Sequence, residues 1–317
     1  MRKLLLALAV AGIASPALAA DVTVAATSIV EHPALNAVRD GVKEALAAAG
    51  FKDGAGGFHF VFETAQGKPE IAAQIAKKFV GDDVSVIVAI STPSAQGAVA
   101  ATKDIPIIFS AVTDPLAAQL VASLKKPGAN VTGVSDMSPI TEQFALVREI
   151  SPKVKTLGVI FNPGETNSVV LVKRLKEVAG GAGVTVVESP ATKSGEVKQA
   201  ALALVGKVDA IYIPTDNTVV SALEAAVAVA EENKIPLFMG DTDSVARGAI
   251  ASVGFNYHDV GVDTGKIVAR VLKGEKPGDI DVGFATGTNL VVNKGAAAKM
   301  GVTIPDAVLK RAVKVIE

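Results

Sequence analysis

The chain alternates short apolar runs with segments of helical periodicity, and this alternation limits the folds open to it. Eight runs rich in Val, Ile or Phe each end in polar or small residues, and the segments between them place apolar residues three and four apart. The runs are 22–28, 58–64, 84–91, 105–112, 156–162, 184–189, 208–214 and 235–240. Nearly continuous apolar strands that alternate with helices are typical of parallel sheets covered on both faces. The sequence therefore predicts an α/β fold of doubly wound parallel sheets.

The two halves of this pattern are similar to each other. VSVIVAISTPSAQGAV at 84–99 aligns with VDAIYIPTDNTVVSAL at 208–223. Any two parallel βα units look alike, so the similarity leaves duplication open, but either origin predicts two lobes. Residues 21–317 are also a comfortable length for two domains.

Strand and helix patterns after residue 248 exceed what a second lobe needs. We therefore expect the chain to cross between lobes three times, near 134–139, 253 and 287, and these crossings would form a hinge. The expected N-terminal lobe is 21–136 plus 253–286. The expected C-terminal lobe is 137–252 plus 287–317.

Residues 1–20 have the pattern of a secretory signal. Arg2 and Lys3 precede an uncharged apolar stretch at 4–13, and Ala17-Leu18-Ala19 places small residues where a signal peptidase reads them. The stretch is too short to span a membrane. We expect cleavage after Ala19 or Ala20 and export to the periplasm.

Charge and cysteine content exclude several classes of partner and site. Without Arg2 and Lys3, 29 basic residues stand against 32 acidic ones, and no basic run occurs, so nucleic acid and anionic lipid are poor partners. The chain has no cysteine, which excludes disulfides, thiol nucleophiles, thiolate metal sites and a lipid anchor on an N-terminal cysteine. We expect a protein that is not membrane-anchored.

Polar loops follow the strands of the first lobe, where open parallel sheets bind ligands. Thr92-Pro93 and Asp114-Pro115 pair a cap residue with a proline suited to the first helical position. Helices that begin there would direct free N–H groups at an anion such as a carboxylate. Ser91 and Thr92 supply more hydroxyls than one cap requires, which favours a ligand role, whereas Asp114 fits a cap.

The second lobe offers acidic side chains at its strand ends. Asp216 and Asp241 follow two neighbouring strands, where each fits either an ammonium partner or a helix cap. Asp243 lies two residues after Asp241, but no third acidic residue follows at EF-hand spacing and no histidine is near. The sequence therefore predicts neither a metal site nor a cofactor.

The sequence lacks the motifs that mark most enzymes. It has no G-x-S-x-G elbow, no Walker A loop, no G-x-G-x-x-G and no H-E-x-x-H. His59 falls in a predicted strand, and His32 stands beside Glu31 near the first cleft loop. A Glu-His pair can do acid–base work, but a polar wall residue is the simpler interpretation of His32.

The run TSIVEHPALNAVRDGVKEAL at 27–46 resembles the opening of ABC-transporter substrate-binding proteins of the tryptophan/tyrosine type. Similar runs continue in order through nearly all of the chain after residue 20. They are VIVAISTPSAQGAVAATKDIPIIFSAVTDPLAAQLV (86–121), TGVSDM (132–137), GVIFNPGETNS (158–168), IYIPTDNTVVSAL (211–223) and SVGFNYHDVGVDTGKIVARVLKGEKPGDI (252–280).

The resemblance implies a type I periplasmic binding fold that closes on an amino-acid-like ligand, an aromatic one favoured, and delivers it to an ABC permease. The ligand-binding residues that it implies are Ser28, Glu31, Ser91, Thr92, Ser110, Asn162, Asn167, Ser168, Asp216 and Asp241. No Trp occurs in the chain, so a plain α-amino acid or another small carboxylate stays open. The nearest aromatic residues are Phe109, Phe161, Phe238, Phe255 and Tyr257.

We expect a monomer without turnover. Two other interpretations remain: an exported ligand sensor for a membrane receptor would share every feature above, and an exported hydrolase would have to pair a Ser or Thr with His32.

Overall fold

The computed structural model describes residues 21–317. The predicted signal at 1–20 lies outside the described residues. Among residues 21–317, no helix has both the length and the apolar character needed to cross a membrane.

The strands and helices follow one another in the alternation that the sequence predicts. The strands are β1 (Val22–Ser28), β2 (Phe58–Thr64), β3 (Val86–Ile90), β4 (Ile107–Val112), β5 (Val131–Ser135), β6 (Thr156–Phe161), β7 (Thr185–Pro190), β8 (Ala210–Ile213), β9 (Leu237–Met239), β10 (Ala251–Gly254), β11 (Gly283–Phe284), β12 (Asn289–Asn293) and β13 (Lys314–Ile316). The helices are α1 (Pro33–Ala48), α2 (Pro69–Gly81), α3 (Thr92–Ala101), α4 (Ile140–Ile150), α5 (Thr166–Gly181), α6 (Val197–Leu202), α7 (Asn217–Val220), α8 (Leu223–Glu232), α9 (Tyr257–Leu272), α10 (Lys294–Lys299) and α11 (Asp306–Arg311).

The N-terminal lobe is built on a six-stranded parallel sheet in the order β11-β5-β4-β3-β1-β2. Strands β3, β4 and β5 are buried along their whole length, because helices cover the sheet. Ile87, Ile107 and Phe109 are among the largest fully buried side chains of this core.

The C-terminal lobe contains two smaller sheets. The four-stranded sheet has the order β7-β6-β8-β9 and is parallel throughout, and β10, β12 and β13 form a three-stranded sheet in which β10 and β12 are antiparallel. The N–H of Ile250 donates to the carbonyl of Leu237, which joins the two sheets. The two sheets share one core, in which Leu157, Leu171 and Tyr212 are buried.

The chain passes between the two cores three times. The first passage runs from β5 to α4, the second from β10 to α9, and the third from β11 to β12. Each passage takes only a few residues, so the cleft-facing strand ends of both lobes lie close together.

Helices α1 and α9 pack against each other more closely than side chains would allow. A Cβ atom added at Gly41 would lie 2.2 Å from the carbonyl oxygen of His258, and one at Gly261 would lie 2.1 Å from that of Val38. Because both of these oxygens belong to the backbone, neither can move without displacing its helix. Glycine at both positions therefore permits the close contact between α1 and α9. This contact determines the position of α9 and of Tyr257 at its N-terminus.

Three local features differ from the expectations. The helical pattern that follows the run at 208–214 is divided into α7 and α8, because Ala222 leaves helical geometry with φ −126° and ψ 29°. The segment after Asp114 forms hydrogen-bonded turns rather than a helix, since Gln119 adopts a left-handed φ of +58°, a conformation that ends helices. The sequence reasoning missed β5, α4, α11 and β13.

Candidate functional site

The carboxyl ends of the parallel strands in both lobes surround one cavity. The cavity is lined by His32, Ala34, Leu35, Thr92, Ala111, Thr113, Asp136, Asn167, Thr215, Asn217, Val220, Asp241 and Tyr257. Both lobes contribute polar side chains to this wall, so a solute held here contacts both lobes at once.

Asp136 provides the first of two carboxyl groups in the cavity wall. It follows β5 and accepts hydrogen bonds from the hydroxyl of Tyr257 at 2.9 Å and from that of Thr113 at 3.2 Å. Burial raises the pKa of Asp136 to about 6, although these two donors favour the charged form. The side chain therefore changes protonation state close to neutral pH.

Asp241 provides the second carboxyl group, from the C-terminal lobe. It lies after β9 and is almost fully buried. Its two oxygens accept hydrogen bonds from the N–H and the hydroxyl of Ser244, each at 2.8 Å. Burial raises the pKa of Asp241 to about 6 as well. Two buried carboxylates, one from each lobe, make this cavity a natural place for a cation.

The N-terminus of α3 opens at the same cavity. Ser91 precedes the helix with a φ of +81°, which side chains of L-residues rarely adopt. Its hydroxyl does not cap the helix, and neither it nor the hydroxyl of Thr92 has a hydrogen-bond partner among residues 21–317, although both are buried. Ala111 also has a positive φ, of 52°, where the pairing of β4 and β5 shifts register. Backbone strain at two neighbouring strand ends is typical of a functional site.

His32 lines the cavity as a neutral side chain. Burial, and secondly the charge of Arg247, lower the pKa of His32 to about 3. Its Nδ1 atom is buried and makes no hydrogen bond to any described residue. A neutral imidazole offers one donor and one acceptor, so His32 is equipped to orient a ligand rather than to charge-pair with it.

Asp216 lies beneath the cavity and is not part of its wall. It accepts hydrogen bonds from the N–H groups of Val219 and Asn162, at 2.8 and 2.5 Å, and from the hydroxyl of Ser168 at 2.6 Å. It thereby caps α7 and ties it to the loop after β6. Burial, with the charge of Glu165 as the second cause, raises the pKa of Asp216 well above its usual range. The structure gives Asp216 the capping role of the two that the sequence left open.

Of the ten residues that the resemblance implies, Thr92, Asn167 and Asp241 line the cavity. The others lie behind or beside it. The hydroxyl of Ser28 donates to the carbonyl of Val30, and Glu31 is exposed beside Arg39.

Two further residues of the ten make internal contacts. The hydroxyl of Ser110 lies 2.6 Å from that of Thr264, in the core of the N-terminal lobe. Asn162 bonds to Thr218 and Gly164 through its own amide.

Sequence reasoning missed Asp136 as a site residue. Its signal is its place directly after the strand VTGVS, at the first crossing between the lobes. Tyr257 is the aromatic side chain in the wall, and its ring lies 5.4 Å from that of Phe255. Phe109, Phe161 and Phe238 are buried in the two cores and do not reach the cavity.

The lobes touch each other across the cleft. Gln96 of α3 donates to the hydroxyl of Thr166, the first residue of α5, at 3.4 Å. The start of α1 also lies near the turn that follows β9. Contacts of this kind close the cavity from two sides. Within residues 21–317, no three His, Asp or Glu side chains cluster in a way that would hold a metal ion.

Two α/β lobes, three crossings and a polar cavity between the lobes define the type I periplasmic binding fold. A myo-inositol-bound ABC transporter solute-binding protein from Bacillus halodurans, 17% identical, matches this architecture with a TM-score of 0.62 over 89% of this chain and 98% of its own. Residues 23–316 match the family model for ABC transporter substrate-binding proteins, and the chain belongs to that family. Proteins of this family bind small solutes outside the cytoplasm and work with ABC permeases.

Closer relatives cover most of the chain. A tyrosine-binding protein from Clostridioides difficile is 44% identical over 84% of this chain and 77% of its own length. An ABC domain in complex with L-Trp from Streptococcus pneumonia is 38% identical with a TM-score of 0.90, covering 94% and 100% of the two chains. The ligand-free, open structure of a substrate-binding protein with adhesive properties from Clostridium difficile is 42% identical, with a TM-score of 0.69 over 93% and 99%.

Proposed function

We propose that the cavity holds an aromatic α-amino acid, tryptophan or tyrosine, which this protein delivers to an ABC permease. The observation that carries the proposal is the pair of buried carboxyl groups, Asp136 and Asp241, in the lining of one cavity. Buried charges require a partner, and an ammonium group is the partner that two carboxylates favour. A zwitterion placed here would bridge the two lobes through its cationic end.

The opposite end of the ligand fits the N-terminus of α3. A helix of this length carries partial positive charge at its first turn, and its first N–H groups have no partner inside the helix. The hydroxyl of Thr92 lies in the cavity wall beside them. This donor-rich corner suits the ligand carboxylate. Leu35, Val220 and the ring of Tyr257 would then contact the side chain.

The relatives support an aromatic side chain on the ligand. The tyrosine-binding protein and the L-Trp complex are both similar to this chain over more than four fifths of its length. In this cavity, the ring of Tyr257 offers the surface on which an aromatic ligand would pack.

The structure resembles a ligand-bound conformation. The L-Trp complex superposes with a TM-score of 0.90, whereas the open, ligand-free relative of higher identity reaches 0.69. A rotation between lobes explains this difference, since sequence divergence alone would predict the reverse order. We infer that 21–136 plus 253–286 and 137–252 plus 287–317 move as two bodies about the three crossings.

Three parts of the proposal concern the state of the protein. Residues 1–20 would be removed on export to the periplasm, and the mature protein would be a monomer that releases its ligand unchanged. The intact mass of the exported protein, light scattering and recovery of the ligand after binding test these three points.

Calorimetry with the twenty standard amino acids tests the ligand class. We expect micromolar or tighter binding of L-tryptophan or L-tyrosine, and a marked loss of affinity for indole-3-propionate, which lacks the ammonium group. A thermal-shift screen gives an independent answer, because a ligand that binds only the folded protein raises its melting temperature. Binding of a sugar, or of no amino acid at all, would overturn the proposal.

A further inference from the structure

Glu165 lies directly behind the cavity wall of the C-terminal lobe without being part of it. It precedes α5 and is 6% exposed. Its Oε1 accepts from the N–H of Thr218 at 2.9 Å and from the hydroxyl of the same residue at 2.7 Å. Its Oε2 accepts from the N–H and the side-chain Nδ2 of Asn217, at 3.1 and 2.5 Å, and from Nδ2 of Asn167 at 3.2 Å.

These contacts determine which way the amide of Asn167 faces. Its Nδ2 donates to Glu165 and also to the backbone carbonyl of Thr215, at 3.0 Å. A carboxylate and a carbonyl only accept hydrogen bonds, so the opposite orientation would set oxygen against oxygen. The amide oxygen of Asn167 is consequently turned away from Glu165. It is buried, and no donor within residues 21–317 reaches it.

The same reasoning applies to Asn217, the second amide in the wall. Its Nδ2 donates to the same oxygen of Glu165 that receives Asn167. The Nδ2 of Asn167 thus has two acceptors behind the wall and that of Asn217 has one. Asp241 adds a carboxylate to the same lining. The amide oxygen of Asn167 and the carboxylate of Asp241 are therefore acceptors in this lining, and they favour a ligand group that donates hydrogen bonds.

We propose that Glu165 is a positioning residue that sets the polarity of this wall and so the preference for an ammonium group. The inference rests on the proposed function, because it explains how an amino acid is told from the corresponding acid without an amine. Glu165 acts through Asn167 and Asn217 and does not touch the ligand. A site that buries acceptors discriminates strongly against an analogue that leaves them unpaired.

Glu165→Gln tests the assignment, because it keeps the shape but replaces an acceptor oxygen with an NH₂ donor. We expect the affinity for L-tryptophan to fall by about tenfold or more. The affinity for indole-3-propionate should fall less, because that compound has no ammonium group to contact the amide oxygen of Asn167. Calorimetry with both compounds gives the ratio of affinities, which a purely structural role of Glu165 would leave unchanged.

Thr218→Val is the matched control. It removes the hydrogen bond to Oε1 of Glu165, the oxygen that Asn167 and Asn217 do not contact, and the one that Asn162 donates to the same hydroxyl, so it should lower the melting temperature and keep the ratio. If Glu165→Gln does not fold, Asn167→Ala removes the acceptor directly. It should also lower the ratio of the affinity for L-tryptophan to that for indole-3-propionate. An equal loss of both ligands, or an unchanged ratio in variants that fold, would overturn the role of Glu165.

The wild-type protein separates this inference from the proposed function. If it binds no aromatic amino acid, the proposed function fails at that step. The ratio is then measured for the amine and des-amino forms of whichever solute it does bind. A wild type that prefers the des-amino form, or binds neither, overturns the acceptor wall too.

Discussion

Tyr257 donates a hydrogen bond from its hydroxyl to Oδ2 of Asp136 at 2.9 Å, and this bond joins two of the three passages between the lobes. Asp136 follows β5 in the first passage, and Tyr257 opens α9 at the end of the second. Both side chains also line the cavity. The same contact therefore belongs to the hinge and to the proposed ligand site, which gives a physical route by which a bound cation would favour closure.

Removing the charge of Asp136 should weaken ligand binding more than it weakens the fold. Loss of one partner of a desolvated charge pair costs about 2–5 kcal/mol, so Asp136→Asn should reduce affinity for L-tryptophan at least about tenfold. Tyr257→Phe keeps the ring and removes the donor, and should weaken binding less. Calorimetry measures both. Normal affinity in Asp136→Asn would show that the ammonium group lies elsewhere.

The affinity for an amino acid should rise with pH through about 6, because protons compete with the ligand for Asp136 and Asp241. Burial raises the pKa of each carboxyl group to about 6. Below that pH, each proton that must be displaced lowers affinity by about tenfold per pH unit. Calorimetry between pH 4.5 and 8 should therefore show the logarithm of the affinity rising with pH, and Asp136→Asn should make this rise less steep. A profile that is flat in both proteins would contradict an ionic site.

Without ligand, Asp136 and Asp241 should make the protein less stable as the pH rises, whereas the affinity for ligand rises with pH. A carboxyl group whose pKa is raised on folding stabilises the protein at pH values below its pKa in the unfolded chain, near 3.8. This contribution is lost as the pH rises through the pKa of the folded protein, about 6. Each group accounts for at most roughly 3 kcal/mol over that range, because an open cleft would leave it less buried than in this structure. The double variant Asp136→Asn with Asp241→Asn should therefore gain melting temperature over the wild type as the pH rises from 4 to 7.5. A constant difference between the two proteins would show that the carboxyl groups are not desolvated without ligand.

Asp216 and Asp241 should behave differently when truncated, although both follow strands of the same sheet. Asp216→Ala removes three buried hydrogen bonds beneath the cavity and should lower the free energy of unfolding by about 2–4 kcal/mol with little effect on affinity. Asp241→Ala should weaken binding at least about tenfold. Asp114→Ala is the control: Asp114 caps an exposed turn, so stability should fall by about 1 kcal/mol or less. Denaturant unfolding and calorimetry separate the two effects.

The sequence predicted the parallel sheets, because apolar periodicity and the order of strands determine them, and the cavity lies at the strand ends where a ligand was expected. It predicted the cavity wall less well. Ser110 and Ser168 follow the expected pattern, yet their hydroxyls bond to Thr264 and Asp216 inside the lobes. Which of several polar residues in one loop faces the cleft depends on the path of the loop. Asp136 was missed because the strand before it, VTGVS, is short and contains polar residues.

Gly261→Ala should disturb the site through the fold. The added methyl group would lie 2.1 Å from the carbonyl oxygen of Val38, so α1 and α9 would have to separate. Overpacking against backbone costs about 1–3 kcal/mol or more, and α9 carries Tyr257 at its first turn. We expect a lower melting temperature together with weaker ligand binding. Gly180→Ala, in the last turn of α5 with open space around it, is the matched control and should change neither.

Ligand binding should close the lobes about the three crossings. Gln96 and Thr166 meet across the cleft in this structure, and such contacts form only when the lobes are close. Because short passages join two separate cores, a rotation requires little repacking. Small-angle scattering should give a smaller radius of gyration with L-tryptophan than without it. Asp241→Ala at the same ligand concentration, below its weakened dissociation constant, should keep the larger radius. An equally small radius in the ligand-free wild type would mean that the lobes are already closed, and the ligand would then have to enter by another route.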